Sequence, residues 1–186
     1  MPFEDAPELP DWIERSCPFR RRMHVLDGER LHFVDEGEGP TVLLVHGNPM
    51  WSFLWRHIIP PLLQAGFRVL APDLLGFGWS TKLKHPSNHT FQRHLDRLCA
   101  WIDALDVRDL TVVGLDWGGP MAGRIGLMRP ERVGAAVFGN TSVLRPRRPF
   151  KPQAFHRFSH MPIVSDLAFR GMLFPFQVLP FVQGSF

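Results

Sequence analysis

The 186-residue sequence predicts an α/β fold, built on a mostly parallel sheet with helices on both faces. Two observations support this fold class. Short runs of apolar and β-branched residues alternate with segments whose apolar residues recur at helical spacing. The runs 41–45 and 110–114 are also almost entirely apolar or β-branched, which is typical of strands covered on both faces.

The predicted elements follow one another along most of the chain. Two strands joined at Asp27-Gly28, a hairpin-type turn, begin the series. Thr90 is the expected N-cap of the longest helix. Strands are predicted at 22–27, 30–35, 41–45, 67–71, 110–114 and 133–138, and helices at 52–64, 91–105 and 119–128.

The chain is predicted to contain two regions. Strand-like runs end near Thr141, and a segment rich in Pro, Phe and Met with weak helical periodicity follows. We therefore assign residues 1–142 to the α/β core and residues 143–186 to the beginning of a helical cap. On this interpretation the chain is truncated before the last strands of the core.

Composition excludes several classes of protein. The net charge of +3 comes from two local basic clusters, one at 20–22 and one at 145–151 that proline breaks up, and neither alternates with aromatic residues, so we expect no nucleic-acid partner. No apolar run is long enough for a membrane helix, and the acidic first residues do not resemble a signal peptide. Two cysteines make a disulfide framework unexpected. A cytoplasmic protein without cofactor or metal is the expectation.

The strongest chemical signal is the sequence Gly114-x-Asp116-x-Gly118 between a buried strand and a helix. A nucleophile raised above a sheet needs a tight strand-to-helix turn, and small residues on either side let the helix approach the strand. Here a carboxylate stands where serine is usual. The structural alternative is that Asp116 only caps the helix N-terminus.

A second motif, His46-Gly47-Asn48-Pro49, follows the strand 41–45. In this architecture such a loop places a backbone N–H beside that of the residue after the nucleophile, and the two form an oxyanion hole. An ordinary turn is the alternative. Both motifs at proper strand ends favour Asp116 as the nucleophile.

Taken together, the chain resembles the haloalkane dehalogenases, within the α/β-hydrolase superfamily. The resemblance runs from about residue 20 to the end of the chain, and Asn48 with Trp117 favours the dehalogenases within the superfamily. It is carried by the sequences 46–56, 72–80 and 116–120, which read HGNPMWSFLWR, PDLLGFGWS and DWGGP.

The resemblance implies hydrolysis of a small halogenated aliphatic substrate by water, with release of halide. Asp116 would displace the halide and form an alkyl ester, since a carboxylate needs no base for this step. Neutral donors on Asn48 and Trp117 would hold the halide, and their backbone N–H groups would form the oxyanion hole for ester hydrolysis. Turn chemistry for Asn48 and a buried aromatic role for Trp117 are the alternatives.

The catalytic histidine and its supporting acid are expected beyond residue 186 in this family. Asn140 stands at one of the two places where the acid occurs, so the acid is expected after a later strand. We assign His46 a structural role, and His85, His89 and His94 none. His156 and His160 have a spacing that also suits a metal, but no further ligand accompanies them.

Two other enzyme functions and one non-catalytic interpretation are alternatives to dehalogenation. Epoxide hydrolases share the carboxylate and the ester, but they typically use cap tyrosines, and this sequence has no tyrosine. A cofactor-independent luciferase-type oxygenase is similar over the same motifs. The chain could also be a non-catalytic truncated fragment, which would be expected to expose apolar surface.

Overall fold

The computed structural model describes residues 3–143, except for the side chain of Pro86. The chain divides into two compact units, Met1–Arg145 and Pro146–Phe186, and the described residues belong to the first. The cap predicted at 143–186 lies, beyond Val143, outside the described residues.

The described residues form seven strands, four α-helices and two short 3₁₀ helices, at Ser52–Trp55 and Pro86–Asn88. The helices are α1 (Asp11–Glu14), α2 (Ile59–Gln64), α3 (Phe91–Leu105) and α4 (Gly118–Met128). The strands are β1 (Glu4–Asp5), β2 (Arg21–Leu26), β3 (Glu29–Glu36), β4 (Thr41–Val45), β5 (Arg68–Pro72), β6 (Leu110–Leu115) and β7 (Val133–Gly139).

All seven strands belong to one sheet, in the order β1-β2-β3-β5-β4-β6-β7. Strands β5, β4, β6 and β7 pair in parallel, while β1, β2 and β3 pair antiparallel and β3 joins β5 antiparallel. The predicted α/β fold with a mostly parallel core is confirmed. The hairpin between β2 and β3 is also confirmed, because Asp27 and Gly28 both have positive φ and Leu26 pairs with Glu29.

The hydrophobic core lies on both faces of the sheet, because successive side chains of a strand point to opposite faces. Leu43 of β4 packs on one face with Leu98 and Trp101 of α3. Leu44, the next residue, packs on the other face with Ile59 of α2. This two-sided burial explains why β4 is apolar along its whole length.

The single helix predicted at 52–64 is wrong. The structure has a 3₁₀ helix at Ser52–Trp55, a turn, and then α2 from Ile59. Pro60 and Pro61 lack a backbone N–H and cannot donate to a preceding helical turn, so a new helix begins with these prolines in its first turn.

Two further sequence expectations concern membranes and cysteines. Among residues 3–143, no helix has both the length and the apolar character needed to cross a bilayer. Cys17 and Cys99 are both free and buried.

Candidate active site

The register of the central strands brings the two sequence motifs together. Strands β4 and β6 are parallel neighbours, with Val45 opposite Gly114. The chain therefore leaves both strands at the same edge of the sheet, which is where open parallel sheets place their ligands. Residues 46–49 emerge beside Asp116 for this reason.

The turn at Asp116 has an unusual backbone conformation. Its φ is 52°, in the left-handed region that costs a residue with a side chain of the order of 1 kcal/mol. Helix α4 begins two residues later, at Gly118. The hydroxyl of Thr141, just after β7, donates a hydrogen bond of 2.5 Å to the backbone oxygen of Asp116 and helps to hold this conformation.

The glycines on either side of Asp116 permit the close approach that the sequence predicted. A Cβ on Gly114 would lie 2.7 Å from Cα of Gly119 in the following helix. A Cβ on Gly118 would lie 2.7 Å from the carbonyl carbon of Val45 and 2.9 Å from the oxygen of His46. Real Cβ atoms essentially never approach backbone so closely, so the tight strand-to-helix packing is confirmed.

The carboxylate of Asp116 accepts a hydrogen bond from the neighbouring loop. The backbone N–H of Asn48 donates to Oδ1 at 3.0 Å, and both residues are exposed. Trp117, and not Asp116, is the N-cap residue of α4, and it makes no side-chain capping bond. The side chain of Asp116 is thus bonded to the loop after β4, and no hydrogen bond from it to the first N–H groups of α4 is found among residues 3–143, which argues against a simple capping role.

His46 stabilises the loop that follows β4 through hydrogen bonds of its side chain. Its Nε2 accepts a hydrogen bond from the N–H of Leu74 at 2.9 Å, so its Nδ1 carries the proton and donates to the oxygen of Gly47 at 2.8 Å. Burial lowers the pKa of His46, more than the charges of Asp73 and Asp116 raise it. A neutral imidazole with both nitrogens occupied acts as a structural bridge, as the sequence indicated.

Asn48 and Trp117 line one cavity of about 240 Å³. Trp117 is half exposed, with 52% of its surface accessible, and its ring lies 5.9 Å from that of Phe91. The alternative of a buried aromatic residue is thus wrong for Trp117. Phe91 also lines the cavity, together with the apolar side chains of Leu74 and Met121.

Phe77, His89 and His94 line the same cavity, and sequence reasoning assigned these histidines no role. The two imidazole rings lie 5.7 Å apart, and Phe77 contacts both at 6.2 Å. A signal for His94 was present, because Leu98, four residues later on α3, is a core residue. Helical periodicity therefore places His94 on the inward face.

Asp73, immediately after β5, is a second residue whose role sequence reasoning missed. Its buried carboxylate accepts hydrogen bonds from Nδ1 of His32 at 2.8 Å and from the backbone N–H groups of Ser52 and Trp79 at 2.8 and 2.9 Å. Burial raises the pKa of Asp73, but the interactions with His32 first, and then with His46 and the backbone N–H of Trp79, outweigh it and lower the pKa overall. The ionised Asp73 fixes the loop that carries Phe77 into the cavity.

No metal centre is found within residues 3–143, where no group of three or more His, Cys, Asp or Glu side chains is arranged to hold an ion. His156 and His160, the pair whose spacing also suits a metal, lie outside the described residues.

A strand–turn–helix elbow beside a second strand-end loop defines a class of protein, and comparison with known families agrees. Residues 40–177 match the model of the alpha/beta hydrolase fold family, and the chain belongs to that family. Within it, the chain is 42% identical over 164 residues to a haloalkane dehalogenase of Mycolicibacterium paratuberculosis. It is 38% identical over 165 residues to haloalkane dehalogenase 2 of Mycobacterium tuberculosis.

Solved structures of haloalkane dehalogenases and epoxide hydrolases are also similar to this chain. Haloalkane dehalogenase DpaA of Paraglaciecola agarilytica has a TM-score of 0.71 and 30% identity, over 86% of this chain and 55% of that one. An epoxide hydrolase of Vigna radiata has a TM-score of 0.60 and 35% identity, over 64% of this chain and 38% of that one.

The chain spans about half the length of these relatives. The two dehalogenase sequences align with 84% and 88% of this chain, which is 52% and 56% of their own lengths.

Proposed function

We propose that this protein acts in the hydrolytic dehalogenation of small haloalkanes, through an alkyl ester on Asp116. The observation that carries the proposal is the position of the Asp116 carboxylate at the strand-to-helix turn. It accepts a hydrogen bond from the backbone N–H of Asn48, and Asn48 and Trp117 line the adjacent cavity. Similarity to haloalkane dehalogenases supports the same reaction.

The hydrogen bond to Asp116 distinguishes its two oxygens. Oδ1 accepts from the N–H of Asn48, which leaves Oδ2 as the oxygen better able to attack. Oδ2 would form a bond to the carbon bearing the halogen while the carbon–halogen bond breaks and its electron pair leaves with the halide. A carboxylate attacks as the anion, so this step needs no proton transfer.

The cavity suits this first step for two reasons. Its apolar walls, including Leu74 and Met121, favour an alkyl chain over water. The amide of Asn48 and the indole N–H of Trp117 are neutral hydrogen-bond donors, which would stabilise the negative charge that develops on the departing halide.

Hydrolysis of the ester would begin with water attacking the carbonyl of Asp116. The developing charge would fall on Oδ1, the oxygen that already accepts the N–H of Asn48. A general base must take a proton from the water. Among the described residues, His46 cannot serve as this base without losing its hydrogen bond from Leu74.

An epoxide hydrolase is the second candidate function, favoured by the structural similarity to the Vigna radiata enzyme. It would use Asp116 in the same way, but ring opening leaves an alkoxide that must receive a proton. The two reactions differ in the leaving group, and this difference can be measured.

Intact-mass spectrometry and bromide release after incubation with 1-bromobutane test the proposal. We expect one butyl adduct on Asp116 together with an equivalent of bromide, and neither in the Asp116→Asn variant. The matched control is Asp109→Asn, because Asp109 is also exposed, also has a φ of 52°, and lies at the opposite end of β6. This control should be alkylated like the original chain.

A parallel incubation with styrene oxide separates the two candidates. An adduct from the epoxide alone would favour epoxide hydrolysis over dehalogenation. A folded protein that reacts with neither compound would contradict both functions.

A further inference from the structure

The cavity lined by Asn48 and Trp117 extends along the edge of the sheet toward β5. Trp117 follows β6, Asn48 follows β4, and Phe77, which also lines the cavity, lies in the loop after β5. Strand β4 lies between β5 and β6, and neighbouring strands are about 4.8 Å apart. Phe77 therefore belongs to the β5 side of the cavity, about two strand spacings from the strand that leads to Asp116.

The ring contacts of the cavity agree with this placement. On the β6 side, Trp117 packs against Phe91 at 5.9 Å. Phe77 instead contacts the rings of His46 at 5.6 Å and His94 at 6.2 Å. His46 is fully buried and Phe77 is only partly buried, so the ring of Phe77 is the cavity wall in front of His46.

Hydrogen bonds hold the backbone on both sides of Phe77. The ammonium group of Lys82 donates to the backbone oxygen of Gly78 and, at 3.5 Å, to that of Gly76. The N–H of Phe77 donates to the oxygen of Leu74 at 3.0 Å. One lysine thus bridges the two residues that flank the ring, and the loop closes on itself through Leu74.

The glycines that flank Phe77 are also packed tightly against their neighbours. A Cβ on Gly76 would lie 3.0 Å from Nε2 of His89, and a Cβ on Gly78 would lie 2.5 Å from Cγ of Asp73. Both glycines have positive φ, at 86° and 44°. These contacts oppose a shift of the loop, so the ring of Phe77 is a fixed part of the wall.

We propose that Phe77 is a specificity-determining residue that limits the length of the alkyl group accepted at Asp116, and that Lys82 is the positioning residue that holds its loop. This inference rests on the proposed function, because it places the carbon–halogen bond at Asp116, Asn48 and Trp117. The alkyl chain would extend toward β5 and stop at the ring, since forcing further methylenes into packed space is costly.

The test compares the rates at which 1-bromohexane and 1-bromobutane alkylate Asp116, measured by intact-mass spectrometry. The ratio of the two rates is determined in the original chain and in Phe77→Ala, which removes the ring. We expect the ratio to rise by about 4- to 15-fold, because each methylene buried in the vacated space contributes about 4-fold. Differences in intrinsic reactivity between the two bromides cancel in this comparison.

Two variants control for the loss of a ring and for the stability of the protein. Phe53→Ala makes the same change at a phenylalanine that is also partly buried but lies outside the cavity, and it should leave the ratio unchanged. Phe77→Leu vacates less space, so it should raise the ratio by a smaller factor even if Phe77→Ala does not fold. A ratio unchanged by both Phe77 variants in folded protein overturns the inference.

The role of Lys82 has its own pair of variants. Lys82→Met keeps the apolar stem and removes the donor, so the loop should yield to the longer chain and the ratio should rise by about 2-fold, at the low end for one hydrogen bond. Lys84→Met, at an exposed lysine two residues later, should leave the ratio unchanged. An equal ratio in Lys82→Met and the original chain would overturn the positioning role.

A binding measurement separates this inference from the proposed function. In Asp116→Asn, which cannot form the ester, butan-1-ol and hexan-1-ol are titrated while the indole N–H NMR signal of Trp117 is followed, with and without Phe77→Ala. Tighter binding of hexan-1-ol alone in the double variant, without alkylation of the original chain, would support the wall and contradict dehalogenation. Alkylation with an unchanged ratio would support dehalogenation and overturn the wall, and neither binding nor alkylation would contradict both.

Discussion

Replacement of Gly47 by alanine should displace the side chain of Asp116 and lower its reactivity, although Asp116 itself is unchanged. The nearest atoms to a Cβ at position 47 all belong to the side chain of Asp116, and Cγ lies 2.7 Å away with Oδ1 and Cβ closer still. Ordinary van der Waals contact begins at 3.4 Å, so the carboxylate group must withdraw by at least about 0.7 Å. The hydrogen bond from Asn48 to Oδ1 would then be lost or lengthened.

The size of the effect follows from this displacement. Misplacing a reacting group by 1 Å can lower a rate about 100-fold, so we expect alkylation by 1-bromobutane to fall by about 10- to 100-fold in Gly47→Ala. Crowding of a packed site also costs about 1–3 kcal/mol of unfolding free energy. The rate is measured by intact-mass spectrometry and the stability by urea unfolding.

Gly134→Ala is the matched control, because a Cβ at Gly134 meets nothing within 4 Å and neither glycine has a positive φ. A double variant identifies the cause. Gly47→Ala should be less destabilising in an Asp116→Gly background, where the clashing side chain is absent. If Gly47→Ala is alkylated at the original rate, the carboxylate does not occupy the position on which our mechanism depends.

Two further predictions concern the residues that support the site. Asp73→Asn should lower the unfolding free energy by about 3 kcal/mol at neutral pH. Because the pKa of Asp73 is lowered in the folded protein, its stabilisation is present above the pKa of the unfolded chain and is lost as the pH falls through the folded pKa. The difference in unfolding free energy between Asp73→Asn and the original chain should therefore be smaller in acid than at neutral pH. Urea unfolding at neutral and at acidic pH checks this, and an unchanged difference would contradict it. His46→Phe should cost about 1–3 kcal/mol, because the buried N–H of Leu74 loses its acceptor, and unchanged thermal stability would show that this bond contributes nothing.

The sequence predicted the parallel core well because its strands are buried on both faces. Apolar runs such as those of β4 and β6 have few alternatives to a covered strand. The pairing of Asn48 with Asp116 was also predictable, since adjacent parallel strands deliver their following residues to one edge. These inferences needed only local pattern and topology.

Other features depend on contacts that no local pattern contains. The role of Asp73 requires donors from three separate segments of the chain, among them His32 and Ser52. The break between Ser52–Trp55 and α2, in contrast, had a local signal in Pro60 and Pro61, which the prediction of one helix overlooked. His94 is a different case, because its helical spacing from the core residue Leu98 was a local signal, but its place beside Trp117 in the cavity depends on contacts between separate elements.

Asp116 is anchored by two hydrogen bonds, which come from residues on opposite sides of strand β6. Its carboxylate is held by Asn48, which follows β4, and its backbone oxygen is held by Thr141, which follows β7. Strand β6 lies between these two neighbours. A slip of one residue in either pairing would remove one anchor, so natural selection on the position of a single carboxylate would act on strand alignment across three strands. A substitution far from Asp116 that shifts this alignment would therefore displace the carboxylate as well.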